Sequence, residues 1–372
     1  MRILCLLLLL PFPLGAITIH DIRSDEDLAR ALARLKPHSI LKIRPGSYRG
    51  GWSVRGVDHL TVEGTDPDNP PHFRGGSQAW HFSRCSHLTL RHLRTSGHQH
   101  NGINIDDGGE LENPARHIRL EHLTVTDVGP RGNTDAIKCS GIDDLQIKNC
   151  TIAGWGGQAI DFVGCHNALI AHCTITGKDG YSQTTGPQFK GGSSDIVIED
   201  CMLVDAGMRP IQAGGSTGMP YFRPPGAKYE ARDITIRRNT IIGGMCAVAF
   251  TGVDGAEFSR NTIIRPDKWV LRILQETTAP GFPPCRNVEF HHNIIVFQRA
   301  KVRGVANIGS NTAAGTFRFR HNLWFASDNP ERSRPSLPAP ESDGFYGIDP
   351  KLDPATHRPG SPKARALLKE VP

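Results

Sequence analysis

The sequence predicts an all-β solenoid of stacked parallel strands, and three observations carry that expectation. One phrase of alternating apolar residues, two polar residues, then Cys or Asn and an apolar pair recurs along the chain. Its copies are LQIKNCTI (145–152), ALIAHCTI (168–175), IVIEDCML (196–203), ITIRRNTI (234–241), AEFSRNTI (256–263), VEFHHNII (288–295) and FRFRHNLW (317–324). Anchors recur at 23 residues from Cys150 to Cys173 and at 22 from Asn239 to Asn261, a period typical of solenoid rungs. Finally, 38% hydrophobic residues with 40 Gly and 27 Pro suit short strands and turns better than helices.

Taken in chain order, MRILCLLLLLPFPLGA joins Arg2 to a leucine run and the small residues Gly15-Ala16. That is the form of a signal peptide over 1–16, cleaved near Ala16, so the protein is expected to be secreted or periplasmic. No second apolar stretch is long enough to span a membrane. Residues 25–36, DEDLARALARLK, place Leu28, Ala31, Leu32 and Leu35 on one helical face. This is the pattern of a capping helix over an otherwise open first rung, with Ser24 or Asp25 as N-cap. The β-helix proper is expected over 17–325. After that, ERSRPSLPAPESDG opens a Pro-rich tail over 326–372, expected to run extended along the outside.

In a parallel stack each strand lies about 4.8 Å from its equivalent in the next rung, so identical side chains form ladders. Cys150, Cys173 and Cys201 would then share a column with Asn239, Asn261, Asn293 and Asn322, the Asn at a left-handed bend. Stacked cysteines point the same way, which suits free buried thiols better than disulfides.

A second strand of each rung aligns as NGINID (101–106), DAIKCS (135–140), QAIDFV (158–163), PQFKGG (187–192), RPIQAG (209–214) and CAVAFT (246–251). Ile103, Ile137, Ile160, Phe189, Ile211 and Val248 form its expected inward column. Alternation then turns Asn104, Lys138, Asp161, Lys190 and Gln212 outward. Asp135, Gln188 and Arg209 flank that stripe, and Arg272 of WVLRILQET extends it. The loop GGSTGMPYFRPPGAKYEA (214–231) adds Tyr221 and Arg223, a stacking surface and a cation beside the stripe. The same Lys-Asp-Lys column also has the form of a purely structural charge ladder.

The formal charge of +6 is mildly compatible with anionic partners. No zinc finger, basic helix or other nucleic-acid module is present, so nucleic acid is not an expected partner. His98-Gln99-His100 and His291-His292 lack a third metal ligand. Asp106-Asp107 with Glu110 and Glu112 offers oxygens of the kind calcium takes, and calcium is the one cofactor the sequence suggests. A monomer is expected.

The succession of rungs over 37–325 resembles the pectin-lyase-like superfamily of right-handed, single-stranded parallel β-helices. LKPHSILKIRPGSYRG and DPKLDPATHRPGSP resemble segments common in its exported bacterial members. That fold hosts lyases, hydrolases, epimerases and non-catalytic glycan binders. Gly132-Asn133-Thr134-Asp135 is similar to the Asn-Thr-Asp motif of polygalacturonases. The Asp pair and Gly-His-Gly that follow in that family are replaced here by Gly157-Gln158 and Gly186-Pro187-Gln188. PQFKGGSSDIVIEDCMLVDAGMRPIQAGG loosely resembles the catalytic region of alginate lyase and chondroitinase B type enzymes. The resemblance implies a polysaccharide lyase, a carbon–oxygen lyase acting on an acidic polysaccharide, with Lys190 as base and Arg209 as carboxylate or leaving-group contact. Aligned through Ser193-Ser194, however, Gly192 replaces the family Lys and Gln212 falls near the family Arg. Lys138 and Asp161 complete the expected catalytic group. Asn104, Asp135, His166, Gln188, Gln212, Tyr221, Arg223 and Arg272 are expected to contact substrate, with His166 a further proton carrier.

Overall fold

The computed structural model describes residues 16–302 and 304–369. The expected signal peptide therefore lies, but for Ala16, outside the described residues. Within them the chain winds through three parallel sheets, of thirteen, ten and twelve strands, each turn contributing one strand to each sheet through most of its length. Rung follows rung in register, so the fold is the expected all-β right-handed parallel β-helix. The phrase repeat forms the first sheet, from Thr18–Ile22 to Glu341–Ser342, and turns into the third, which ends at Phe345–Tyr346. The second sheet runs from Trp52–Arg55 to Ala306–Ile308.

Alternation sets the core. Leu145, Ile147, Ile170, Ile198 and Ile236 are wholly buried, while residues between them remain accessible. Aromatic rings stack where rungs repeat them, Phe258 on Phe290 at 4.8 Å. The first rung is covered by the helix Asp25–Leu32, whose Ser24 hydroxyl accepts from the Asp27 amide at 3.2 Å. Leu28 and Ala31 enter the core. The helix ends at Leu32 with Ala33 as its C-cap, four residues short of the expected 25–36. At the other end the tail contributes the strands Glu341–Ser342 and Phe345–Tyr346 and a short helix, Pro362–Leu368.

The ladder column is present, with all eight described cysteines free and buried. In each Asn rung the side chain accepts from the amide of the ladder residue one rung earlier, Cys201 for Asn239 and an Asn thereafter, and donates to a carbonyl. Asn261 Oδ1 takes the Asn239 amide at 2.9 Å, and Asn261 Nδ2 donates to the Ile236 carbonyl at 2.9 Å. One detail corrects the sequence expectation. The left-handed residue is the one before the ladder position, such as Arg238 at φ 57°, Arg260 at 55° and His292 at 56°. The Asn itself is selected for its two-way hydrogen bonding.

A second left-handed corner, at the entry to the first-sheet strands, is filled by histidine in four rungs. His38, His59, His87 and His117 have φ between 53° and 62°. Their rings stack on successive rungs at 4.3, 4.1 and 4.4 Å.

Candidate functional site

The second sheet fixes the site. Its outward row pairs His81, Asn104, Lys138, Asp161, Gln188, Gln212, Ala249, Arg272 and Asn307 in succession. A parallel row two residues on runs Arg55, Ser83, Asp106, Ser140, Val163 and Lys190. The expected alignment is therefore corrected by two residues at one rung. Pro187 rather than Phe189 stacks on Ile160, and Gln188 rather than Lys190 pairs with Asp161. Lys190 still faces the same side because a two-residue shift preserves strand alternation.

Its side chain returns to Asp161. The Lys190 ammonium makes an ion pair with Asp161 Oδ1 at 3.0 Å, outside good hydrogen-bond angles. The Lys138 ammonium donates to Asp161 Oδ2 at 2.5 Å and Asp135 Oδ2 at 3.0 Å. Both carboxylates are fully buried, whereas Lys138 and Lys190 keep 24% and 16% of their side chains accessible. The two acids therefore form a floor from which two ammonium groups emerge.

Electrostatics separate the members. Burial alone would raise Asp161, but Lys190 and Lys138 outweigh it and hold its carboxyl below the usual range. Asp135 is pushed up by burial and by the Asp161 charge, despite Lys138 and the Gln158 amide. Burial opposes the charge on Lys138, yet Asp161 and Asp135 overcome it and raise its ammonium above the ordinary lysine value. Lys138 is thus a fixed cation.

Lys138, Asp161 and Lys190 line a groove of about 730 Å³, shared with Arg55, His81, Asn104 and Tyr221. His81 was not among the expected site residues. Its Nε2 lies 2.6 Å from Asp106 Oδ2, which also accepts from Asn104 Nδ2 at 3.2 Å. Burial would raise Asp106, but the hydrogen bonds from His81, Ser83 and Gly108 keep it low. The signal was present in WHFS (80–83), where His81 stands between the buried Trp80 and Phe82. It is the Asn104 position one rung earlier.

Other expected contacts are placed differently. Arg223 lines the groove but is buried, with its guanidinium bound to Asp107 through Nε at 2.5 Å and Nη2 at 3.0 Å. It fastens the loop and leaves Tyr221, 63% exposed, at the groove wall. Gln188 is buried and donates to the Gly214 carbonyl at 3.1 Å, a second fastening. His166 belongs to the first sheet and meets the Ser194 hydroxyl at 3.0 Å, off the groove. Arg209 bridges Thr185 at the strand start, five residues before the Lys190 level, and does not line the groove. Asp135 is sealed beneath Lys138. Gln212 is buried further along the row, with Arg272 two rungs beyond.

The acidic loop does not gather into a calcium cage. Asp107 is taken by Arg223, Asp106 by His81 and Asn104, and Glu110 by Arg84 at 2.8 Å. Among the described residues no three His, Cys, Asp or Glu side chains converge to hold a metal ion. No helix among them is long and apolar enough to cross a membrane.

The family model described as "Right handed beta helix region" matches residues 81–263. No curated protein sequence matches the chain. Among solved structures, a lacto-N-biosidase from Eubacterium ramulus is similar at TM-score 0.58 and 12% identity, covering 88% of this chain and 68% of that one. The A-module of a mannuronan C-5 epimerase from Azotobacter vinelandii gives 0.53 at 12% identity, over 86% and 92%. A mannuronic acid specific family 6 polysaccharide lyase from human gut microbiota gives 0.52 at 14% identity, over 88% and 91%. At such identities the likeness is one of fold.

Proposed function

We propose, from the premise that the chain is a right-handed parallel β-helix of the pectin-lyase-like superfamily, that its second-sheet groove cleaves a uronic-acid-containing polysaccharide by β-elimination. The observation that carries this reading is the pair of ammonium groups, Lys138 and Lys190, held on the buried Asp161 beside the His81–Asp106 pair.

β-Elimination needs charge neutralised on the uronate, a base for the proton beside it, and a proton for the departing oxygen. Lys138, fixed as a cation by two carboxylates, suits the uronate carboxylate, with Lys190 adjoining. Abstraction needs a free lone pair, and the Lys190 nitrogen is engaged by Asp161. The base is therefore assigned to His81, which Asp106 orients through Nε2, leaving the other ring nitrogen to take the proton. The C–H electrons form the ring double bond, the C4–O bond breaks, and the phenol of Tyr221 protonates the leaving oxygen.

Hydrolysis is less well supported. Asp135 and Asp161 are pushed in opposite directions, as an acid and its partner would be,. Both are fully buried behind lysine, however, so neither reaches a glycosidic oxygen.

The test is incubation with alginate, pectate, chondroitin and heparin, read by ultraviolet absorbance and product size. A lyase gives shorter chains ending in absorbing unsaturated uronate. Shortening without absorbance indicates hydrolysis, altered composition without shortening indicates epimerisation, and binding alone indicates a glycan-binding protein. Any of these last three overturns the reading.

A further inference from the structure

Beyond the groove, the second sheet carries two arginines, Arg209 and Arg272, that make no ion pair among the described residues. Strand starts on this sheet place a side chain beside the outward residue three positions on. Asp135 meets Lys138 in this way, and Trp269 meets Arg272, whose guanidinium lies 5.2 Å from the indole centroid. Arg209 stands in the same relation to Gln212, and Cys246 to Ala249.

A cationic rung, a rung of small residues and a second cationic rung therefore follow one another. Arg209 and Gln212 are on one side, Cys246 and Ala249 in the middle, Trp269 and Arg272 on the other. In this register Arg209 and Trp269 flank Cys246 from the rungs on either side, and Gln212 and Arg272 flank Ala249. Burial first, and Arg272 among the neighbouring charges, lower the Arg209 value, with Cys246 and Glu276 opposing.

Neither arginine forms an ion pair among the described residues. The buried Arg209 Nε and the buried Gln212 Oε1 have no hydrogen-bond partner, and Arg272 reaches the neutral Asn307 Oδ1 at 2.9 Å. Buried polar atoms left unpaired are costly: the Arg209 donor and the neighbouring like charges call for an anion, and the Gln212 oxygen, an acceptor, for a hydroxyl donor such as a sugar carries.

We infer that Arg209, Gln212, Trp269 and Arg272 form a distal subsite for the carboxylate and ring face of a uronate residue. It rests on the groove reading above. Asp161 and Arg272 are four rungs apart, about 19 Å at 4.8 Å per rung, so the subsite lies several sugars along one extended chain. Its carboxylate is held by the two guanidiniums and its apolar ring face rests on the Trp269 indole.

The experiment measures binding of trimers and hexamers of mannuronate, guluronate and galacturonate to the wild-type protein and to Arg209→Ala/Arg272→Ala. Matched thermal midpoints establish that the variant is folded. Wild type should bind the hexamer of its preferred sugar at least roughly tenfold tighter than the trimer, and the double variant should lose that gain while keeping trimer affinity. Trp269→Ala should reduce the gain, and a carboxyl-reduced hexamer should show none. An undiminished gain in the double variant, or no gain in wild type, overturns the subsite and leaves the groove reading standing. Failure of wild type to bind either length overturns both.

Discussion

Arg223 and Asp107 stand 116 positions apart, yet they meet through two hydrogen bonds, with the carboxylate fully buried and the Arg side chain 9% exposed. The pair joins the loop over 214–231 to a rung laid down much earlier. Removing one partner strands the other charge, so Asp107→Ala or Arg223→Ala should cost about 3 kcal/mol. Arg223→Lys should recover little, since an ammonium does not reproduce the two-point fork. Urea midpoints check this; a variant as stable as wild type would show that the loop is anchored elsewhere.

At the groove floor, Asp161→Ala removes the carboxylate between two ammonium groups, leaving Lys138 its pair with Asp135 and taking from Lys190 its acid partner. A loss of about 3 kcal/mol is expected, together with loss of turnover. His81→Asn keeps a polar side chain without the proton carrier, and should lower kcat by at least about 100-fold with a much smaller change in stability. Absorbance assays and denaturation curves on the same preparations separate the two effects.

The histidine stack sets an acid response. Burial, then His59 and His117, hold the His87 imidazole below its ordinary value of 6.5. The folded state therefore binds fewer protons than the unfolded chain as pH falls through 6.5. Stability present above 6.5 is lost between that value and the lower folded one. His92 follows the same sign, lowered by burial and then by His122. His87→Asn, which tolerates the left-handed corner, should flatten the decline in thermal midpoint between about pH 6.5 and pH 5. An unchanged profile would remove His87 from the response.

Ladder chemistry predicts unequal costs along one column. Asn293 takes the Asn261 amide and side chain through Oδ1 and donates through Nδ2 to Phe258 and Asn322. Asn293→Ala should cost about 3 kcal/mol, because it leaves buried partners unpaired. Cys173→Ala loses weak thiol contacts and a small volume, and should cost nearer 1 kcal/mol. Chemical denaturation ranks them. Thiol titration of residues 17–372, denatured without reductant, should count all eight cysteines.

The fold was legible because every rung repeats the same alternation, and period with ladder residues survives the inserted loops. The site was less so. Pro187 and Phe189 have the same parity, so an apolar column cannot distinguish a two-residue slip, and Lys190 was displaced along the groove although kept on its face. Arg223 looked like a free cation because its partner was supplied by a remote rung. His81 was hidden because the alignment begins one rung too late, at residues 101–106.

The Asn column also has a direction. Each member receives the amide before it, from Asn239 to Asn261, Asn293 and Asn322, and the series ends on Glu341. Glu341 accepts from Asn322 and Trp324 at 2.8 and 2.9 Å and from the Tyr346 hydroxyl at 2.9 Å; burial raises its carboxyl despite these donors. That carboxyl is a terminus in the manner of a clasp: peel the chain from its C-terminal end and each backbone amide above loses its acceptor in turn, whereas peeling from the other end takes away the carbonyl to which each remaining Asn donates.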